Sequence, residues 1–309
     1  MWLAYAFLSA ALLGCYDVCK KLALRSHAVV SVLFLNTLFC SLFFVVPVLG
    51  SAWGQIGEES LFYVPMEGWG VQRYVMLKSL IVLSSWILGY CGMKYLPLTL
   101  VGPINATRPV MVLLGAMLFF GERLNLYQWV GVLLAVVSYY LLRRSGRREG
   151  IDFRHNRWVT CIVMAAVLGA LSGLYDKYLM ASPEAGGMGL NRMVVQSYYN
   201  FYQCLLMGGV MLFFHRFGVE PGSRVRLNKG LFPILLVSVF LTIADFVYFY
   251  ALSLDGAMVS IVSMVRRSSV VVSFLLGAWI FRERNLRSKA VDLALVLLGM
   301  VFLWLGNNS

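Results

Sequence analysis

The chain has 309 residues, of which 60% are hydrophobic and only 13% charged, and its mean hydropathy is +0.78. Soluble domains devote about a quarter of their residues to charge, so a water-soluble fold is excluded. The formal net charge of +12 would suggest a nucleic-acid partner in a soluble protein; in a chain this apolar it points to a lipid bilayer, and no nucleic-acid partner is expected.

A helix needs about 20 predominantly apolar residues to cross the hydrocarbon layer. Ten runs of roughly that length follow one another, at residues 2–24, 28–49, 73–93, 97–120, 126–142, 157–181, 192–214, 231–253, 257–281 and 288–306. Each is expected to be helical, because lipid offers no partner to a free backbone group, and the strict polar/apolar alternation of a membrane barrel is missing. The first run has neither a basic leading segment nor a small-residue cleavage site, so it reads as a membrane helix and not a signal peptide. The expected fold class is all-α integral membrane, with ten transmembrane helices.

Basic residues gather in the odd-numbered loops: three in the first, one in the third, six in the fifth and four each in the seventh and ninth. The even-numbered loops hold only Arg73, Arg123 and Arg192, and the second is acidic through Glu58, Glu59 and Glu67. By the positive-inside rule the odd loops face the cytoplasm and both termini lie outside. The cysteines at 15, 19, 40, 91, 161 and 204 all fall within the runs and lack C-x-x-C spacing, as expected of small packing residues. Trp53, Phe62, Tyr63 and Trp69 of the second loop are expected to lie on the membrane surface as an amphipathic segment.

The chain repeats itself. Gly14, Tyr16 and Asp17 recur 159 residues later as Gly173, Tyr175 and Asp176, and Thr99, Thr107, Glu122 and Arg123 recur 161 residues later as Ser260, Ser268, Glu283 and Arg284. The organisation that follows is a first five-helix repeat over 1–142, a basic linker over 143–156 and a second five-helix repeat over 157–309. Five is odd, so the copies enter the membrane in opposite senses, as an inverted pair about a pseudo-twofold axis in the membrane plane.

Two five-helix halves, a Gly/Tyr/Asp motif in each first helix, and "GERLNLYQWVG" and "RERNLRSKAVD" opening each last helix resemble the EamA family of the drug/metabolite transporter superfamily. The resemblance covers nearly the whole chain, and the Gly-Glu-Arg segment with its Gln-Trp-Val-Gly is its most specific part. The second copy departs from it, with Arg282 in place of Gly121 and Asp292 in place of Gly131. The resemblance implies a multi-pass cell (inner) membrane protein that moves amino acids or related metabolites, commonly outward. It also implies termini in the cytoplasm, opposite to the charge partition.

The residues that carry chemistry lie inside the runs. Arg108 stands at mid-span between Pro103 and Pro109, at a cost of about 2.5–3.5 kcal/mol that eleven Leu, Ile, Phe and Val residues of the same run can offset. The prolines remove helical hydrogen bonds, so a bent, cavity-lining segment is expected there, with Asn105 beside it. The repeat places Arg266 and Arg267 at the equivalent depth, and planar guanidinium groups suit a carboxylate or phosphate. The competing reading is that each arginine is permanently paired with Asp17, Asp176 or Asp245. Those three acids are otherwise candidates for proton coupling or gating; for Asp17 the bland alternative is an ion pair with Lys20 or Lys21 one helical turn away. Tyr16, Tyr175, Tyr199 and Gln203 complete the candidate substrate-binding set, the last two from the polar and aromatic face of "QSYYNFYQC".

No H-E-x-x-H, Walker or Rossmann pattern is present, and no cofactor, metal or catalytic residue is expected. The favoured expectation is a secondary transporter, a monomer or a homodimer, exporting a small polar metabolite with a carboxylate or phosphate, such as an amino acid, by alternating access. The alternative is a membrane-embedded enzyme acting on an anionic lipid-linked substrate, with its reactive groups at one interface. A cation transporter is disfavoured by the surplus of buried arginines.

Overall fold

The structure is a computed structural model that describes residues 2–120, 124–147, 151, 153, 155–180, 183–216, 227–253, 262, 265–283 and 286–308. Its helices are α1 (Trp2–Ser26), α2 (Val29–Ala52), α3 (Trp69–Tyr95), α4 (Leu98–Ala106), α5 (Arg108–Phe120), α6 (Leu126–Arg147), α7 (Arg157–Met180), α8 (Arg192–Arg216), α9 (Leu227–Ser253), α10 (Ser269–Phe281) and α11 (Leu286–Asn308). The described residues contain no strand.

Among the described residues eight segments are long and apolar enough to cross a membrane, α4 and α5 together supplying one of them, Leu98–Gly115. Of the ten expected runs, 192–214 forms α8, which has the length but carries the polar stretch from Gln196 to Gln203. The run 257–281 lies partly outside the described residues.

Packing joins residues far apart in the chain. Helix α1 lies along α9, α3 along α7, α6 along α11 and α2 along α8, while α10 packs on both α1 and α4. The largest core cluster accordingly mixes Leu24, Leu33, Met93, Leu100, Ile162, Met207 and Val237. Because lipid is as apolar as leucine, helices in a membrane associate through close fit, which favours small residues at the contact. Gly131 illustrates this: a Cβ there would stand 2.8 Å from the Gly299 carbonyl oxygen and 2.7 Å from Leu303 Cδ2, so only glycine lets α6 and α11 approach. Helix α6 starts on a reciprocal cap in which Asn125 N–H donates to Gln128 Oε1 and Gln128 N–H to Asn125 Oδ1, both at 3.0 Å. It runs on through Arg147, so the first residues of the basic linker are helical, and Phe153 folds back edge-on against Tyr139.

The fourth run is broken where its prolines predict. Helix α4 stops at Ala106, Thr107 takes φ −77° and ψ −7°, and α5 begins at Arg108. The Thr107 hydroxyl donates back to the Ile104 carbonyl at 2.7 Å, and Pro109, lacking an N–H, cannot close the ladder. Ser268, which corresponds to Thr107 in the sequence repeat, has nearly the same backbone (φ −64°, ψ −7°) and the same back-bond, to the Val265 carbonyl at 2.6 Å. No proline stands there, and the hydroxyl back-bond is the feature that the two bends share.

The second loop does not form a surface helix. Residues 53–62 make turns and bends and 63–68 have no regular structure, with Phe62 stacked on Phe246 of α9 at 5.1 Å and Val64 buried against Phe44, Met193 and Val194. Trp53 and Trp69 remain exposed.

Candidate functional site

Arg108 lies ten residues into a span that opens at Leu98; at 1.5 Å per residue this is about 15 Å, half of a hydrocarbon layer of about 30 Å. Its Nη2 donates to Asn105 Oδ1 at 3.2 Å, one turn back. Its guanidinium lies flat on the backbone of α7 at Gly169, where a Cβ would come within 2.8 Å of Cζ. The buried Nε has no hydrogen-bond partner among the described residues.

Arg266 and Arg267 precede the second bend. Ala106 at the end of α4 packs with Val270 at the start of α10, so Arg108 and Arg267 flank one helix contact, and Arg267 is close enough to Arg108 and Arg266 for their charges to repel. Arg266 bonds to Asp245 and lies 4.3 Å over the Tyr248 ring. Arg267 has no hydrogen bond or ion pair among the described residues.

The other two candidate acids are also engaged. Asp17 holds Lys20 at 2.9 Å, and Asp176 holds Lys78 of α3. Asp17 is the acid whose field reaches Arg108, but its Oδ1 is bonded to Lys20. Tyr199 is reached by the charges of Asp245, Asp176 and Arg266, and Lys78 lies 5.2 Å from its ring. Tyr199 thus connects the two ion pairs.

Tyr16 belongs to a buried polar chain. Its hydroxyl meets that of Tyr90 at 3.3 Å, Asn36 Nδ2 donates to Tyr90 at 3.3 Å, and Ser238 Oγ donates to Asn36 Oδ1 at 3.0 Å. Lys20 lies 4.4 Å over the Tyr16 ring and 5.1 Å over that of Tyr90. Gln203 is fully buried, with neither amide atom bonded among the described residues. Tyr175 stands apart from these groups in its bonding: its hydroxyl donates to the Tyr74 carbonyl at 3.3 Å.

Three features escaped the sequence reading. Tyr90 and Asn36 look like ordinary span residues, and only packing joins them to Tyr16. Glu283 caps α4 across the molecule: its Oε1 accepts from Leu98 N–H at 2.7 Å and its Oε2 from Thr99 N–H at 2.9 Å, while buried Lys289 donates to the Thr99 hydroxyl at 2.9 Å. The recurrence of Glu122 as Glu283 was a signal for a role there. Asp292, which stands where the first copy has Gly131, is buried, and its Oδ2 has no hydrogen-bond partner among the described residues.

A separate cavity of about 480 Å³ opens between α2, α8, α9 and the second loop. Phe43, Phe44, Pro47, Phe62, Met193 and Phe246 line it, with Arg192, Gln196 and Thr242 as its polar residues.

Residues 1–144 match the model of the EamA-like transporter family. None of the curated proteins compared matches the sequence. Twenty-eight chains of solved structures match it. One of them, described only as a crystal structure of a protein, is 17% identical, with a TM-score of 0.59 over 97% of this chain and 99% of its own; at that identity the likeness concerns the fold alone. The polytopic all-helical architecture and the family match agree: this is a multi-pass membrane protein whose residues 1–144 are similar to the EamA-like transporter family.

Proposed function

We propose that the protein is a secondary transporter that exports a small polar metabolite bearing a carboxylate or phosphate across the inner membrane. The observation that carries this reading is Arg108, a guanidinium at mid-depth whose buried Nε lacks a partner among the described residues, beside Arg267, which has no hydrogen bond or ion pair among them either. Buried donors are satisfied by protein, water or ligand, and ionisable residues within membrane spans mark solute pathways. Asn105, Tyr16 and Tyr199 border the same charges, and Gln203 and Tyr175 are assigned to the chamber with them.

The scaffold proposed is ten spans in two inverted five-helix repeats, 1–142 and 157–309, joined by the basic linker. Exchanging the copies turns the α1–α9 contact into the α7–α3 contact and leaves α2–α8 and α6–α11 unchanged, which is the pattern of pairings observed. The matching bends at Thr107 and Ser268 support it too. Movement is by alternating access, the halves rocking about the site. The charge partition puts both termini outside.

Asp17, Asp176 and Asp245 are the coupling groups in this reading. Each holds a cation, so a proton taken by one of them frees Lys20, Lys78 or Arg266 to meet substrate. The reading is tested by solute counterflow in proteoliposomes across amino acids, organic acids and phosphorylated metabolites, with Arg108→Ala as control. Flux that the substitution abolishes supports it; absence of flux for every solute, with turnover of an anionic lipid instead, overturns it.

A further inference from the structure

The charges around the two bends are unequal in number. Five cations (Arg108, Arg266, Arg267, Lys20 and Lys78) face three carboxylates among the described residues. Each carboxylate is bonded to one cation: Asp245 to Arg266, Asp17 to Lys20 and Asp176 to Lys78. The remainder is two positive charges, on Arg108 and Arg267, which flank the packing contact of Ala106 with Val270. One sits at each bend.

From this inventory we infer that the transported solute is a dianion, a dicarboxylate or a phosphate monoester, held between Arg108 and Arg267, and not a zwitterionic amino acid. The inference rests on the transport reading above and narrows it. Two like charges with no acid bonded to either among the described residues repel each other in a low-dielectric interior, and a ligand with two negative charges answers both, whereas a monoanion leaves one uncompensated. A zwitterion fares worse: its ammonium group needs an acceptor, and the three carboxylates already have donors. Planar, forked guanidinium groups offer paired donors that match carboxylate and phosphate oxygens alike, so the arrangement selects charge before it selects between those two chemistries.

Succinate, butyrate and 4-aminobutyrate share a four-carbon length and differ in charge: dianion, monoanion and zwitterion. Glycerol 3-phosphate supplies the phosphate arm. The experiment measures inhibition constants against counterflow, and thermal stabilisation, for these four compounds at pH 7.5 on the reconstituted full-length chain. At least one dianion is expected to act at tenfold or more lower concentration than butyrate and 4-aminobutyrate; which dianion does so separates dicarboxylate from phosphate ester. Arg267→Gln and Arg108→Gln are each expected to reduce that ratio to about one, while Arg267→Lys restores part of it. Without ligand, Arg267→Gln is expected to unfold at a higher temperature than the parent, because an uncompensated charge has been removed; an arginine with a purely structural role would give the opposite shift. Preference for 4-aminobutyrate, or an unchanged ratio in a folded Arg267→Gln protein, overturns the dianion assignment and leaves transport standing. If none of the four compounds is moved or bound, and amino acids and nucleoside phosphates are not moved either, the transport reading falls with it.

Discussion

Arg266 and Arg267 are neighbours in the chain with opposite circumstances: the first is bonded to Asp245, the second has no acid among the described residues. In the transport reading proposed above, one arginine is part of the scaffold and the other is left for a ligand. Breaking a buried pair from one side strands the other charge, at a cost of about 3 kcal/mol, whereas removing both partners costs far less. Asp245→Asn is thus expected to lower the thermal midpoint of the detergent-solubilised protein markedly, and Asp245→Asn with Arg266→Gln to recover most of the loss. A double variant less stable than the single one would show that the pair is not isolated in this way.

Gly169 gives Arg108 its resting place. An added Cβ would collide with the far end of a flexible side chain, so Gly169→Ala is expected to shift the thermal midpoint by little while weakening substrate binding about tenfold, since a displacement of about 1 Å at a binding group has effects of that order or more. Titration of ligand-induced stabilisation in both proteins checks this. Equal affinities would place the guanidinium outside the site.

Glu283 holds two N–H groups at the start of α4 and bonds to the Thr99 hydroxyl. Helix caps contribute about 0.5–2 kcal/mol, and bonds to a charged acceptor lie at the upper end. Glu283→Ala is expected to cost about 2 kcal/mol, and Glu283→Gln, which keeps one acceptor oxygen, clearly less. Chemical unfolding of the three proteins measures the order.

Arg282 ends α10 with φ 50° and ψ 48°, the left-handed region. It is the position at which the first copy has Gly121. A side chain there carries a penalty of roughly 1–2 kcal/mol that glycine avoids, so Arg282→Gly is expected to raise the thermal midpoint by an amount equivalent to about 1 kcal/mol. A lower midpoint would mean that the arginine side chain supplies a compensating contact.

Much of the fold was legible because a bilayer imposes a strict rule: long apolar runs must be helices. The bend at Arg108 was legible too, since Pro103 and Pro109 announce it. Its counterpart at Ser268 carries no such mark, and only the repeat pointed there. The Asp17–Lys20 pair was readable as one helical turn, but that Asp176 meets Lys78 depends on α3 packing against α7. The Tyr16–Tyr90–Asn36–Ser238 chain was invisible for the same reason. Hydrogen bonds between residues 54–202 positions apart are set by tertiary packing, which periodicity does not encode. In the second loop, Phe62 is exposed as a surface aromatic would be, while its stacking on Phe246 was not legible.

Transport through Arg108 and Arg267 requires water to reach the two bends. In a background where the six native cysteines are replaced, Arg108→Cys and Arg267→Cys would be exposed in proteoliposomes to a membrane-impermeant anionic thiosulfonate. Rapid modification of both, slowed by the transported dianion, is the predicted result. If neither thiol reacts from either side of the membrane while a loop control at Trp53→Cys does, the arginines are sealed in dry protein and the transport site is elsewhere.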